Sequence, residues 1–155
     1  MMMSFEDLLQ ANRLRPHEPT LSEIRDLIDG ALRDLRHVAA TTDSDDWRFI
    51  AAYSAALSLA TVPLVASGYR ASGPGHHATV IKALPASIGA QVQELSVYLD
   101  ECRALRNKAL YDQPHIATPS KVKELLEAVD ELQKCVLTWL AEQHPELLPE
   151  AEFEE

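Results

Sequence analysis

Cysteine, positive charge and long apolar runs are all scarce in this chain of 155 residues. The two cysteines, Cys102 and Cys135, are too few for a disulfide framework or a four-thiolate zinc site. No apolar run reaches the roughly 18 residues that a membrane-spanning helix needs. The start of the chain, Met1–Asp7, lacks the basic region and the apolar stretch of a secretory signal. These absences predict a cytoplasmic protein that has no membrane partner.

Charge is unevenly distributed along the chain. The 24 Asp and Glu residues outnumber the 14 Lys and Arg residues, which gives a net charge of −10 and argues against broad, non-specific binding of nucleic acid. Glutamate is concentrated after residue 141, whereas the segment 47–93 contains no carboxylate and carries Arg48, Arg70 and Lys82. This middle segment is either the buried part of the fold or the location of a local anion site.

The remaining composition is that of a globular domain, and the apolar residues recur at helical spacing. Hydrophobic residues make up 46% of the chain and charged residues 25%, and the length suits one domain. Thr20-Leu21-Ser22-Glu23 matches a capping box before an amphipathic helix. Ser44 precedes a second helix, Trp47–Ser67, which is apolar on nearly all sides and is therefore predicted to be central. Pro63 is expected to kink this helix or to end it early.

Further helices are predicted at about 76–84 and 90–111, after a glycine-rich loop, and from residue 118 onward. No segment shows the alternating pattern of a strand. The predicted fold class is therefore all-α, a helical bundle of four long helices plus short helices. Residues 1–19 are expected to form a short helix and linker, residues 20–144 the bundle, and residues 145–155 an acidic tail.

Arg106 occupies a position where the pattern of the helix over 90–111 calls for an apolar side chain. Val92 and Leu99 precede it at heptad spacing on the same row. Because an isolated guanidinium is costly to bury, Arg106 is expected to meet a bundle carboxylate, a ligand or a partner subunit.

Arg106-Asn107, followed after three residues by Tyr111, resembles the signature of the HEPN superfamily, in which an Arg, often followed by Asn, precedes a His. Other segments resemble a bacterial HEPN subgroup, and the likeness spans about residues 20–144: Tyr53-Ser54-Ala55-Ala56, Ala66-Ser67-Gly68-Tyr69-Arg70, Gly75-His76-His77 and Arg106–Asp112. The resemblance implies an all-α HEPN-like bundle that forms a homodimer, with the motifs of both subunits lining one cleft. It also implies metal-independent cleavage of RNA, or binding of RNA or a nucleotide without cleavage.

The resemblance assigns Arg106, Asn107 and Tyr111 to the catalytic positions, with Arg103 and Lys108 beside them as anion-binding residues. Tyr111 stands where the family has His. A tyrosine with a pKa near 10 is protonated at neutral pH and would be a poor general base. In an ideal helix Arg106 and Tyr111 also point about 140° apart. Tyr111 is thus expected to donate a hydrogen bond, to stack on a base, or simply to pack at the end of the helix.

His76 and His77 are the second pair of candidate residues. They follow Gly73-Pro74-Gly75 at the start of a predicted helix, where backbone N–H groups can bind an anion, and Arg70 lies shortly before them. Either histidine could supply the missing acid–base group, and the alternative is a helix start with one histidine packed on a neighbouring helix. Adjacent histidines do not share a helix face, so the sequence indicates no metal site, and it indicates no cofactor.

Two functions remain open at the level of sequence. The first is a HEPN-like domain that binds or cleaves RNA in a dimer cleft. The second is a non-catalytic interaction module that homodimerises or binds a nucleotidyltransferase-type protein, as some HEPN proteins do in toxin–antitoxin systems.

Overall fold

The computed structural model of the protein describes residues 3–111 and 114–150, and it is an all-α bundle with one small sheet. The four predicted long helices are α2 (Leu21–Ala40), α3 (Asp45–Ala66), α6 (Gln93–Tyr111) and α7 (Pro119–Gln143). Three shorter helices are α1 (Phe5–Gln10), α4 (His76–Lys82) and α5 (Leu84–Ser87), and short 3₁₀ turns lie at Ala90–Val92 and Pro145–Leu147. The predicted fold class is confirmed.

Three of the four long helices, α2, α3 and α7, begin at a capping residue. The side chains of Thr20, Ser44 and Thr118 each accept a hydrogen bond from a backbone N–H in the first turn of the helix that follows. The predicted capping box at Thr20 is made in one direction, through the N–H of Glu23. The Glu23 carboxylate contacts the side chains of His17 and Arg70 instead of the Thr20 backbone.

Helix α3 forms the centre of the core and packs against α2, α6 and α7. It continues to Ala66 despite Pro63, so of the two expected effects of Pro63, a kink or an early end, the early end is wrong. Proline removes one backbone N–H bond, and the close packing of α3 in the core compensates for that loss. By length and composition α3 could cross a membrane, which corrects the expectation that no run is long enough; 67% of its most apolar window is buried within the bundle.

Two strands, which the sequence pattern did not predict, join the N-terminal segment to the segment after α3. Strand β1 (Leu14–Pro16) pairs antiparallel with β2 (Tyr69–Ala71), with Leu14 opposite Ala71. Leu8 of α1 and Leu14 of β1 are both buried in the common core. The segment before residue 20 therefore contains packed structure where a linker was expected.

The C-terminal segment, expected to be an acidic tail, begins with a packed turn. Leu147 is buried, and the 3₁₀ turn that carries it contacts α2. Residues 151–155 of the expected tail lie outside the described residues.

Asp46, in the first turn of α3, holds the loop that joins α6 to α7. Its carboxylate accepts hydrogen bonds from the backbone N–H groups of His115 and Ala117, the latter at 2.9 Å. Asp46→Ala should lower the free energy of unfolding by about 2 kcal/mol, because it leaves the N–H of the buried Ala117 without its acceptor. Urea unfolding followed by circular dichroism measures this loss. Asp43→Ala, at an exposed position just before α3, is the control and should change stability by less than about 0.5 kcal/mol; equal effects would contradict the role of Asp46.

Candidate active site

The candidate site is built around Tyr53, a buried polar residue in the apolar helix α3. Tyr53 is 1% exposed, and its ring lies between α4 and α6. Burial raises the pKa of Tyr53 to about 12, against the lowering effect of Arg106 and Arg103. Tyr53 therefore keeps its hydroxyl proton at all physiological pH values and acts as a neutral hydrogen-bonding group.

Arg106 of α6 places its guanidinium over the Tyr53 ring, with Cζ 5.7 Å from the ring centroid. This is the geometry of a cation–π contact. Its Nη1 donates to Oδ1 of Asn107 at 3.1 Å, and its buried Nε has no hydrogen-bond partner among the described residues. Of the sequence-based alternatives for Arg106, the bundle carboxylate is not found: no ion pair joins Arg106 to a carboxylate within the described parts of the chain.

His77, at the start of α4, contacts Tyr53 at its hydroxyl. Its Nδ1 lies 3.4 Å from the Tyr53 hydroxyl, and the two ring centroids are 5.9 Å apart. Gly75, in the left-handed conformation at φ 77°, allows the chain to turn into α4 directly before the histidines. Burial, together with the positive charges of Arg106, Arg103 and His76, lowers the pKa of His77 below its ordinary value. The His77 imidazole is therefore neutral at pH 7.

Arg103 lies one helical turn before Arg106 and is held by Asp100, whose Oδ1 accepts from Nε at 2.9 Å. Its charge acts on both Tyr53 and His77. The structure thus brings together three predicted site residues of α6 and one histidine of α4 around a tyrosine of α3. We name Tyr53, His77, Arg103, Arg106 and Asn107 the Tyr53 cluster.

Tyr111 and Lys108 lie apart from the described contacts of this cluster. Tyr111 is 76% exposed at the end of α6, so it does not pack in the core. It lines a groove of about 420 Å³ together with Trp47, Ile50 and His115. Lys108 is exposed on α6. Its side chain forms no ion pair with another described residue.

Arg70 and His76 line a second recess, which His77 also borders. Arg70 is paired with Glu23, with Nη2 donating to Oε2 at 2.9 Å. Burial works to raise the pKa of Glu23, but the hydrogen bonds and charges of His17 and Arg70 outweigh it and lower the pKa. The ion pair therefore remains charged at neutral pH and forms part of the rim of this recess.

The cysteines are not candidates for nucleophilic chemistry. Cys102 is buried, and burial raises its pKa to about 11. Burial also raises the pKa of Cys135. In residues 3–111 and 114–150, no group of three His, Cys, Asp or Glu side chains is placed to hold a metal ion.

Tyr53 is the residue of the cluster whose role the sequence pattern alone did not show. One signal was available: it is a phenol in a run rich in alanine and leucine that the helix buries on nearly all sides. Its partner on α4 follows 24 positions later in the chain, so only the fold shows the contact.

Comparison with known proteins gives no further assignment: no family model matches the chain, and neither the curated proteins nor the solved structures give a significant match.

Proposed function

We propose that this protein is a HEPN-like RNA-binding domain that cleaves RNA at the Tyr53 cluster without a metal ion. One observation carries the proposal: a guanidinium that no carboxylate pairs with among the described residues lies over the same tyrosine ring that a neutral histidine contacts. A cation with spare donors binds a phosphate, and a neutral imidazole accepts a proton at pH 7.

The arrangement allows a simple transesterification. In the tautomer whose Nδ1–H donates to the Tyr53 oxygen, Nε2 of His77 has a free lone pair. Nε2 takes the proton of a ribose 2′-hydroxyl, the 2′-oxygen bonds to phosphorus, and the bond to the 5′-oxygen breaks. That oxygen takes a proton from solvent. The products are a 2′,3′-cyclic phosphate and a 5′-hydroxyl, and Arg106 stabilises the charge that develops on the phosphorane.

We further propose that the protein works in the cytoplasm as a homodimer. The side chains of Arg106 and Asn107 are joined by a hydrogen bond on α6, so a two-fold partner that brings its own α6 close would double the density of positive charge there. This local concentration of positive charge would allow a protein of net negative charge to bind an RNA backbone at one place.

Replacing Arg106 tests the binding step directly. Arg106→Ala should weaken binding of a single-stranded RNA by roughly 10- to 100-fold, the effect of losing a hydrogen bond to a charged group. Arg106→Lys should recover part of the loss, because it restores the charge without the planar donors. Fluorescence anisotropy at fixed salt measures the affinity, and the fragments from metal-free wild type are examined for cyclic phosphate ends.

Arg36→Ala, at an exposed position on α2, is the control for this measurement and should bind RNA like the wild type. If Arg106→Ala unfolds more easily yet binds RNA normally, Arg106 has a structural role and the proposal is wrong. If RNA binds through Arg106 but is never cleaved, the catalytic part is wrong and the binding part stands.

A separate observation favours the interaction-module alternative. Trp47 and Tyr111 are 61% and 76% exposed, and they line the same groove. Exposed aromatic side chains that cluster in this way are typical of protein interfaces. The proposed partner at this groove is a second copy of the chain or a nucleotidyltransferase-type protein.

The double variant Trp47→Ser, Tyr111→Ser tests whether the groove binds a second copy of the chain. If the groove is the dimer interface, the variant should dissociate at least about tenfold more readily than wild type, as expected when interface aromatics are removed. Sedimentation equilibrium measures the change, and Val97→Ser, at another exposed apolar position, serves as the control. A dimer of unchanged affinity would exclude this groove as the contact between copies.

A further inference from the structure

The recess that His77 borders is a pocket of about 330 Å³ with an aliphatic wall. Leu27 of α2, Leu57 and Leu64 of α3, and Val80 of α4 contribute to this wall. A volume near the lower end of the usual range for ligand pockets, roughly 300–1,000 Å³, suits a ligand no larger than one nucleotide.

Two arginines and two histidines border the pocket. Arg15 of β1, Arg70 of β2 and both His76 and His77 border it, and Glu23 is the carboxylate among its lining residues. Both oxygens of Glu23 are occupied, Oε1 by His17 at 2.7 Å and Oε2 by Arg70 at 2.9 Å.

The Arg15 side chain is exposed and, within the described residues, forms no ion pair and no side-chain hydrogen bond. The rim therefore has a cation available for an anionic group, since the Glu23 charge is already compensated.

The chemistry of the wall fits the face of a base better than its edge. Aliphatic side chains contact the faces of nucleobases without reading their hydrogen-bonding groups. The hydroxyl of Thr61, which also lines the pocket, donates to the Leu57 carbonyl at 2.7 Å. Weak discrimination between bases is the expected consequence.

We propose that this pocket receives one nucleotide of the bound RNA, with its base against the aliphatic wall and its phosphate at Arg15. The inference rests on the proposed function, because His77 belongs both to this pocket and to the Tyr53 cluster. A base held here places the adjoining sugar-phosphate near the imidazole that removes the 2′-proton.

Methyl NMR of the full chain tests the pocket, with adenosine monophosphate as the probe. The probe should shift the methyl signals of Leu57, Leu64 and Val80, while ribose 5-phosphate and inorganic phosphate should not, because they have no base. Ile88, which lines a separate groove near α7, should not shift. Shifts at Ile88 in place of the pocket methyls would overturn the proposal, and so would equal shifts with ribose 5-phosphate.

Two variants make the test specific. Thr61→Trp fills the pocket and should weaken binding of the probe by at least roughly tenfold, whereas Thr138→Trp, in the groove that Ile88 lines, should not. Arg15→Ala leaves the wall intact. It should weaken the binding of adenosine monophosphate by roughly tenfold and leave the binding of adenosine unchanged. If Thr61→Trp does not fold, Arg15→Ala decides alone; equal binding of both probes to Arg15→Ala and wild type contradicts the proposed phosphate position.

The results distinguish this proposal from the function on which it rests. RNA binding that depends on Arg106, with no shift of the pocket methyls, would overturn the pocket and leave the RNA function intact. Occupation of the pocket by the nucleotide, without any binding of RNA, would overturn the RNA function and with it the placement of an RNA nucleotide here.

Discussion

His77→Ala should slow RNA cleavage by roughly 10²- to 10⁴-fold, the usual contribution of a positioned general base. The reason is the neutral imidazole beside Tyr53: without it, no group of suitable pKa is left in the Tyr53 cluster to take the 2′-proton. Tyr53 itself cannot replace it, because burial raises its pKa to about 12. Single-turnover cleavage of an end-labelled RNA measures the rate constant.

The pH dependence of the wild-type rate gives an independent check on His77. Burial and the neighbouring positive charges lower its pKa, so more than half of the imidazole is unprotonated at the pH where a free histidine is half charged. The cleavage rate should therefore rise with pH, with a midpoint below 6.5, and stay level through neutral pH. A midpoint above that value would contradict the assignment of His77 as the base.

Two further variants separate catalysis from folding. His37→Ala changes an exposed histidine of α2 and should leave cleavage unchanged. Tyr53→Phe keeps the ring under Arg106 but removes the oxygen that orients His77, so cleavage should fall by about tenfold through a positioning effect. If His77→Ala cleaves as fast as wild type, the catalytic proposal is wrong, whatever Arg106 does.

Phe49→Ala should lower the free energy of unfolding by about 3–5 kcal/mol, the usual cost of removing a buried phenylalanine. Phe49 is 1% exposed and lies on α3, the helix that the other long helices surround. Trp47, two positions earlier in the same helix, is 61% exposed. Trp47→Ala should therefore change stability by less than about 0.5 kcal/mol in dilute protein, where self-association does not contribute.

Chemical unfolding of both variants, followed by circular dichroism, measures this contrast within one helix. Similar losses at the two positions would mean that the face of α3 assigned to the core is wrong. The comparison also tests whether α3 is a core helix of the bundle, although its length and composition would suit a membrane. A helix that crosses a membrane would not give a cooperative unfolding transition in water when it loses one buried ring.

Local pattern was sufficient to predict the long helices and most of their buried faces. Thr20 and Ser44 mark helix starts through hydrogen bonds that span three residues, and such short-range contacts are visible in the sequence. On α7, Leu125 and Leu132 are both buried, seven positions apart, as helical spacing requires.

Apart from the apolar length of α3, which is a property of the sequence itself, the errors and omissions are non-local. Strands β1 and β2 have three residues each, too few for an alternating pattern, and they pair across more than 50 positions of sequence. Pro63 would disturb an isolated helix, yet the packing around α3 preserves the helix to Ala66. In the site, the pairing of Tyr53 with His77 depends on how α4 lies across α3, and no spacing rule encodes that arrangement.

The small sheet has a practical consequence for anyone who shortens this chain. Arg13 donates from its guanidinium to the Pro74 carbonyl and accepts from the N–H of Ser72 through its own carbonyl, which secures the loop before α4. A fragment trimmed to begin at residue 20 would keep all four long helices and lose this strap. The first segment thus helps to position His77. A truncated protein would report on the stability of the bundle while giving a misleading account of its chemistry.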